Sequence, residues 1–217
     1  MVELDHWIGA FFRRLQLLEL LMAKILVTGF RPFNNEAINP SEILLSEIKE
    51  VLSSDEVDTL LLPVSYQNSF AVLMSHLQQN SEYKAILMLG QAGGRDKISL
   101  ERVALNWCES GPDEDGHQPA VGPILANAPA AHIADFFPTV WADILKEVAP
   151  TAVSSTAGTF VCNTLYFKVL NELKNKTNAL FVHVPYLPEQ AALKTKPTPS
   201  MPLADQFAVI KKLITLL

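Results

Sequence analysis

The chain has two cysteines, Cys108 and Cys162, and the surroundings of Cys162 suit a working thiol. Cys162 lies three residues after Thr159, a residue suited to N-cap a helix, so it falls in the first turn of the helix expected from Gly158 to about Leu173. The positive end of a helix dipole and its unpaired N–H groups favour thiolate over thiol. The same N–H groups can bind an oxyanion formed beside the sulfur. His183 lies in the apolar run Phe181-Val182-His183-Val184, which stops at Pro185, and a rigid strand end there can hold an imidazole as general base. Glu101 leads into Val103-Ala104-Leu105 and can orient a histidine, as the third member of a Cys-His-acid set does. Each residue also fits a plainer role: a small buried hydrophobe, a satisfied core histidine, a carboxylate paired with Arg102. The loop Gly90-Gln91-Ala92-Gly93-Gly94 permits close backbone approach to a ligand. It lacks the Gly-Lys-Ser/Thr ending of a phosphate loop and the glycine spacing of a dinucleotide fingerprint. No G-x-S-x-G is present, so a serine nucleophile has no support. The histidines form no metal-ligand spacing, and neither a metal nor another cofactor is expected.

These residues must be positioned by the elements around them. Apolar runs at 25–27, 60–62, 85–89, 151–155 and 180–184 read as strands. Helical patterns lie between them: from Asn39 or Ser41 to Val51, from Ser69 to Leu77, over 134–148, from Gly158 to Leu173, and over 205–217. Alternating strands and helices predict an α/β fold: a three-layer α/β/α sandwich with a largely parallel central sheet, of the kind phosphorylases and hydrolases use. In such sheets ligands bind beyond the carboxyl ends of the strands, which is where the unusual residues fall. Residues 106–130 are rich in Pro, Gly, Asp, Glu and Asn and read as a long excursion, a feature that is usually functional or disordered.

Residues 22–217 form one expected domain, and 1–21 an N-terminal extension. Ile8, Phe11, Phe12, Leu15 and Leu18 of that extension suit an amphipathic helix. Glu3 and Asp5 stand where a secretory signal is basic, and Arg13 and Arg14 split the apolar run. Met22 opens the first strand pattern and is taken as close to the functional start; the competing reading is a genuine extra helix packed on the surface. No uncharged apolar run is long enough to span a membrane. Hydrophobic residues make up 49% and charged residues 18% of the chain, which excludes a disordered protein. A net charge of −6 provides no footprint for nucleic acid. Two cysteines are too few for a disulfide scaffold and fit a reducing cytoplasm.

Several segments together resemble the pyroglutamyl peptidase I (pyrrolidone-carboxylate peptidase) family of cytosolic cysteine peptidases. They are Ile25-Leu26-Val27-Thr28-Gly29-Phe30-Arg31-Pro32-Phe33, Asn39-Pro40-Ser41, Gly90-Gln91-Ala92-Gly93-Gly94-Arg95 and Glu101-Arg102-Val103-Ala104-Leu105-Asn106. Further on come Ser155-Thr156-Ala157-Gly158-Thr159-Phe160-Val161-Cys162-Asn163 and His183-Val184-Pro185-Tyr186-Leu187-Pro188-Glu189-Gln190. They occur in the family's order and cover essentially residues 24–217. The resemblance implies Cys162 as nucleophile, His183 as base and Glu101 as orienting acid. It implies that Phe30, Phe33 and Gln91 line a lactam pocket, with Phe160 and Val161 beside the nucleophile. It implies a peptide substrate with N-terminal pyroglutamate, and assembly into dimers or tetramers.

Three departures bear on the pocket rim. Asn34-Asn35 stand where the family usually has Gly-Gly. The segment Cys108-Glu109-Ser110-Gly111-Pro112-Asp113 lacks the basic residue the family commonly carries there. Thr164 replaces a usual His. They leave two alternatives open: a divergent hydrolase of another cyclic or acylated amide, and a non-catalytic binding protein on the same scaffold. A phosphorylase is more distant, since no phosphate-binding set is evident.

Overall fold

Every strand near the centre of the sheet is an apolar run buried on both faces, as a sheet covered on both sides requires. The computed structural model describes residues 23–80, 83–134, 140–174 and 176–217. The readings of 1–21 as an extension and of Met22 as the start lie outside these residues. The elements in chain order are β1 (Lys24–Phe30), α1 (Pro40–Val51), β2 (Val57–Leu62), α2 (Asn68–Gln79), β3 (Tyr83–Gln91), β4 (Ile98–Glu101), β5 (Val103–Leu105) and β6 (Ala131–Ile133). Then follow α3 (Val140–Leu145), β7 (Thr151–Ser154), α4 (Val161–Leu173), β8 (Asn178–Val184), α5 (Pro188–Ala192) and α6 (Leu203–Ile214). The main sheet has the order β2-β1-β3-β8-β4-β7, and β5 and β6 form a separate antiparallel pair.

Helices cover both faces, as the expected three-layer α/β/α architecture requires. Ile25, Val27, Leu87, Leu180 and Val182 meet Leu44 and Ile48 of α1 and Val209, Ile210 and Leu213 of α6. Leu26, Phe30, Ile86, Met88 and Phe181 face Leu73 of α2 and Leu165, Tyr166 and Phe167 of α4. Successive strand residues alternate between these two cores, as the pleat dictates.

The strands β2, β1, β3 and β8 run parallel, while β4 is antiparallel to β8 and parallel to β7. The segment between Gln91 and Ile98 is too short for the crossover a parallel strand needs, so β4 runs back down the sheet. Neither β4 nor the β5–β6 pair was expected from the sequence, because both are short and carry little periodic signal. The expected helix over 134–148 is observed as Val140–Leu145, with 135–139 outside the described residues.

The start of α4 also differs from expectation. Gly158 has φ +84°, a left-handed conformation that cannot belong to the helix, and Phe160 takes the N-cap position without a side-chain cap. The Thr159 hydroxyl instead donates to the Glu109 carbonyl at 3.1 Å, tying the excursion to the helix start. At α2, Ser69 lies inside the first turn rather than at the cap, and Ser65 Oγ accepts the Asn68 N–H at 3.1 Å.

The excursion is irregular but firmly held. Asn163 of α4 accepts from the Leu105 N–H at 2.8 Å and donates to the Leu105 and Trp107 carbonyls at 2.9 and 3.1 Å. Buried Asp113 accepts the backbone N–H groups of Tyr66, Asp115 and His117 at 2.8, 3.0 and 2.9 Å.

The β1–α1 connection sets the position of Phe30. The Asn39 side chain caps α1 by accepting the Ser41 N–H at 3.0 Å, and Pro40 fills the first helical position. Ser41 Oγ accepts the Phe30 N–H at 3.0 Å and donates to Asn39 Oδ1 at 2.8 Å. This close approach requires Gly29, since a Cβ there would stand 2.6 Å from the Ser41 carbonyl oxygen. Gly29→Ala is expected to destabilise the fold by about 1–3 kcal/mol through forced backbone separation. Urea unfolding measures this, and an unchanged midpoint would contradict the packing described.

Candidate active site

Phe30 ends β1, Gln91 ends β3, His183 stands one residue before the end of β8, and Cys162 occupies the second position of α4. Three parallel strand ends and one helix start thus converge, and their side chains line one cavity of about 100 Å³. Its walls are Phe30, Phe33, Asn39, Val64, Gln91, Ala157, Phe160, Cys162 and His183. That volume takes a small ring rather than a large ligand. The Phe33 and Phe160 rings lie 6.2 Å apart at 30°, and Tyr66 meets Phe160 edge-on at 5.4 Å. A larger hollow of about 580 Å³, lined by Tyr83, Lys84, His132, Asn178 and Ala179 among others, lies by the opposite ends of β3 and β8 and holds none of these groups.

Glu101 comes from the reversed strand β4, where it lies opposite Phe181. His183 is two residues further along β8, so the two side chains share one face as a diagonal cross-strand pair. Glu101 is fully buried, and its Oε1 accepts from His183 Nδ1 at 2.8 Å. A carboxylate can only accept here, so Nδ1 carries the proton and Nε2 is left as the basic nitrogen. Arg95 Nη1 donates to the same Oε1 at 2.6 Å, and the Tyr166 hydroxyl donates to the Glu101 backbone carbonyl at 2.9 Å. Glu101 Oε2 is buried with no hydrogen-bond partner among the described residues.

Gly90 makes room for the thiol. A Cβ at Gly90 would stand 2.8 Å from the Phe181 ring and 3.1 Å from Cys162 Sγ. Since Gly90 pairs with His183 across β3 and β8, the bare glycine brings sulfur and imidazole to the same patch of sheet. The N–H groups of Val161, Cys162 and Asn163 precede the first intrahelical bond, which Thr164 N–H makes to the Phe160 carbonyl at 3.0 Å.

The protonation states differ from the sequence expectation. Burial pushes the Cys162 thiol up to about 12; the Glu101 carboxylate adds to this, and its own backbone N–H and Arg95 oppose it more weakly. Burial also lowers His183 below its usual 6.5, outweighing the hydrogen bond and charge of Glu101, while Arg95 lowers it further. Taken group by group, burial favours the neutral form of both the thiol and the imidazole. For the half-buried Cys162, desolvation opposes the pull of the helix N–H groups and outweighs it.

Of the expected pocket residues, Phe30, Phe33, Gln91 and Phe160 line the cavity. Val161 does not: its side chain is fully buried in the core with Leu165 and Phe167, because the first turn of α4 turns it inward. Asn39, Val64, Ala157 and Arg95 were not singled out from sequence for the site. Of these, Asn39, Ala157 and Arg95 lay within motifs already noted, and Val64 had no signal.

A thiol at a helix start, with an imidazole and a buried carboxylate at strand ends of an α/β sandwich, is the set of groups a cysteine peptidase requires. A family model described as pyroglutamyl peptidase matches residues 23–216. Pyrrolidone-carboxylate peptidase 1 of Caldanaerobacter subterraneus subsp. tengcongensis is 40% identical over 196 residues, which covers 88% of this chain and 96% of that one. The solved pyrrolidone carboxyl peptidase of Fervidobacterium islandicum superposes with a TM-score of 0.83 at 38% identity, covering 89% of this chain and 98% of that one. Pyroglutamyl peptidase I of Bacillus amyloliquefaciens gives 0.79 at 33%, covering 87% and 91%. The chain belongs to the pyroglutamyl peptidase family.

Among the described residues no helix is long and apolar enough to cross a membrane. None of them form a group of three or more metal-binding side chains.

Only the neutral imidazole can accept a proton, so activity should fall as pH drops through the lowered His183 value. The acid limb of kcat/KM is therefore expected below pH 6.5, the ordinary histidine value. Replacing Arg95 by Gln removes a cation that holds protons off the pair, so the limb should move to higher pH. A pH profile of both proteins checks this, and an identical limb in R95Q would refute it.

Proposed function

We propose that this protein hydrolyses the amide bond after an N-terminal pyroglutamyl residue of peptides. The observation that carries the reading is the buried Glu101–His183 pair beside Cys162, opening on a small pocket walled by Phe30, Phe33 and Phe160. Cys162 is assigned as nucleophile, His183 as general base and acid, and Glu101 as the group that orients the imidazole. As Sγ attacks the pyroglutamyl carbonyl, His183 Nε2 takes its proton, so thiolate forms only with attack. The N–H groups at the start of α4 are assigned to hold the oxyanion as it develops. The imidazolium then protonates the leaving amine, and water, deprotonated by His183, releases pyroglutamate from the thioester.

The pocket chemistry favours a lactam. Two flat apolar ring faces suit the phenylalanine walls, and one amide side chain, Gln91, meets the ring's polar edge. An ordinary N-terminus is charged, and burying that charge against these walls is costly. Assembly into a dimer or tetramer and residence in the cytoplasm belong to the same proposal. The free state of both cysteines is compatible with a reducing compartment.

Cys162→Ala is expected to reduce release of a pyroglutamyl reporter amide by at least about a thousand-fold, with an unchanged circular-dichroism spectrum. Glu101→Gln should cost less, because it removes orientation and not the nucleophile. Full turnover by the Cys162→Ala protein would overturn the assignment.

A further inference from the structure

We propose that Gln190 is a positioning residue that decides which end of the Gln91 amide faces the pocket. The inference rests on the pyroglutamyl reading of that pocket and deepens it. Gln190 lies in α5, 99 positions along the chain from Gln91, and is 2% exposed. Its two amide ends are assigned by backbone groups whose polarity is fixed. The Leu187 N–H can only donate, and it stands 3.0 Å from Gln190 Oε1. The Ile38 carbonyl can only accept, and it stands 3.1 Å from Gln190 Nε2. Gln190 therefore has one N–H left, and it points at Gln91 at 2.8 Å. The Gln91 atom that receives it must be oxygen.

Gln91 Oε1 thus accepts from Gln190 inside the protein, and Nε2 is the donor end that remains. The end of Gln91 left for a ligand is a donor. A donor pairs with a carbonyl oxygen and not with a ring N–H, so the pocket selects a ring whose polar edge presents C=O at this point. The lactam carbonyl is that group. A cyclic residue without it leaves the Gln91 donor desolvated and unpaired, which is the stronger form of discrimination.

The relay also couples three segments. Gln190 holds the start of α5 through Leu187, the segment before Asn39 through Ile38, and the end of β3 through Gln91. The pocket's polar group is then fixed by the same residue that ties its walls together.

The test compares kcat/KM for reporter amides of pyroglutamate and of cyclopentanecarboxylate, a ring of equal size with neither carbonyl nor N–H. Gln190→Glu keeps an acceptor for the Leu187 N–H but presents an acceptor to Gln91, so the Gln91 amide should turn and offer oxygen to the ligand. The preference for the pyroglutamyl reporter is expected to drop about tenfold or more, with the change in its KM rather than kcat. Gln190→Met removes the donor without adding charge and should lower the same ratio by a smaller factor. Equal losses on both reporters in both variants would mean a purely structural role and would overturn the relay while leaving the activity standing. A wild-type protein with no preference for the pyroglutamyl reporter would overturn the pocket reading and this inference with it.

Discussion

The central constraint on this molecule is the burial of one carboxylate. Glu101 has no solvent exposure, and a buried carboxylate stays ionised only when charge and hydrogen bonds replace water. Arg95 and His183 both meet its Oε1, so the ion pair and the hydrogen bond to the imidazole share one atom. This arrangement fixes the imidazole tautomer, and it requires β4 to run antiparallel beside β8. The reversed strand, otherwise an irregularity in a parallel sheet, is what brings an acid across from the histidine. The glycine at position 90 serves the same end from β3, by leaving space for the thiol and the Phe181 ring.

The sequence departures around the pocket have separate physical consequences. Asn34 and Asn35 both adopt φ 59°, the left-handed region that asparagine enters more readily than most residues, so they can occupy a turn otherwise suited to glycine. The Asn34 N–H reaches Glu114 Oε1 at 2.8 Å and joins this turn to the excursion. Ser110 puts no cation at the rim. Its hydroxyl lies 3.0 Å from that of Thr159, and because Thr159 donates to the Glu109 carbonyl, Ser110 must be the donor. The rim is thereby fastened to the segment before Cys162 by neutral hydrogen bonds. Thr164 is buried with its hydroxyl unpartnered among the described residues, and nothing in the structure explains that choice.

Much of the architecture was legible in the residues. Long apolar runs such as 25–27, 85–89 and 180–184 mark strands because a sheet covered on both faces tolerates little else. The Asn39-Pro40 start of α1 was readable because capping is local chemistry. Short elements were not readable: Ile98–Glu101 and Val103–Leu105 are held by pairing partners distant in sequence, and Pro188–Ala192 by its contacts with Leu187 and Gln91. The Thr159 cap failed because Gly158 takes a left-handed turn and the hydroxyl finds a carbonyl fifty residues away.

By itself, the sequence determined the kinds of group available: one thiol at a helix start, one imidazole at a strand end, one carboxylate beside an apolar stretch, and aromatic residues after the first strand. Helix and strand periodicity act over a few residues, so these local placements can be read directly. Tertiary structure alone decided their states. Burial raises the thiol and lowers the imidazole, against the pull toward thiolate that a helix start exerts. It turned Val161 into the core and gave Gln91 its polarity through Gln190. Desolvation and hydrogen-bond direction depend on what surrounds a group in three dimensions, and neighbours sixty to a hundred positions away along the chain supply those surroundings here.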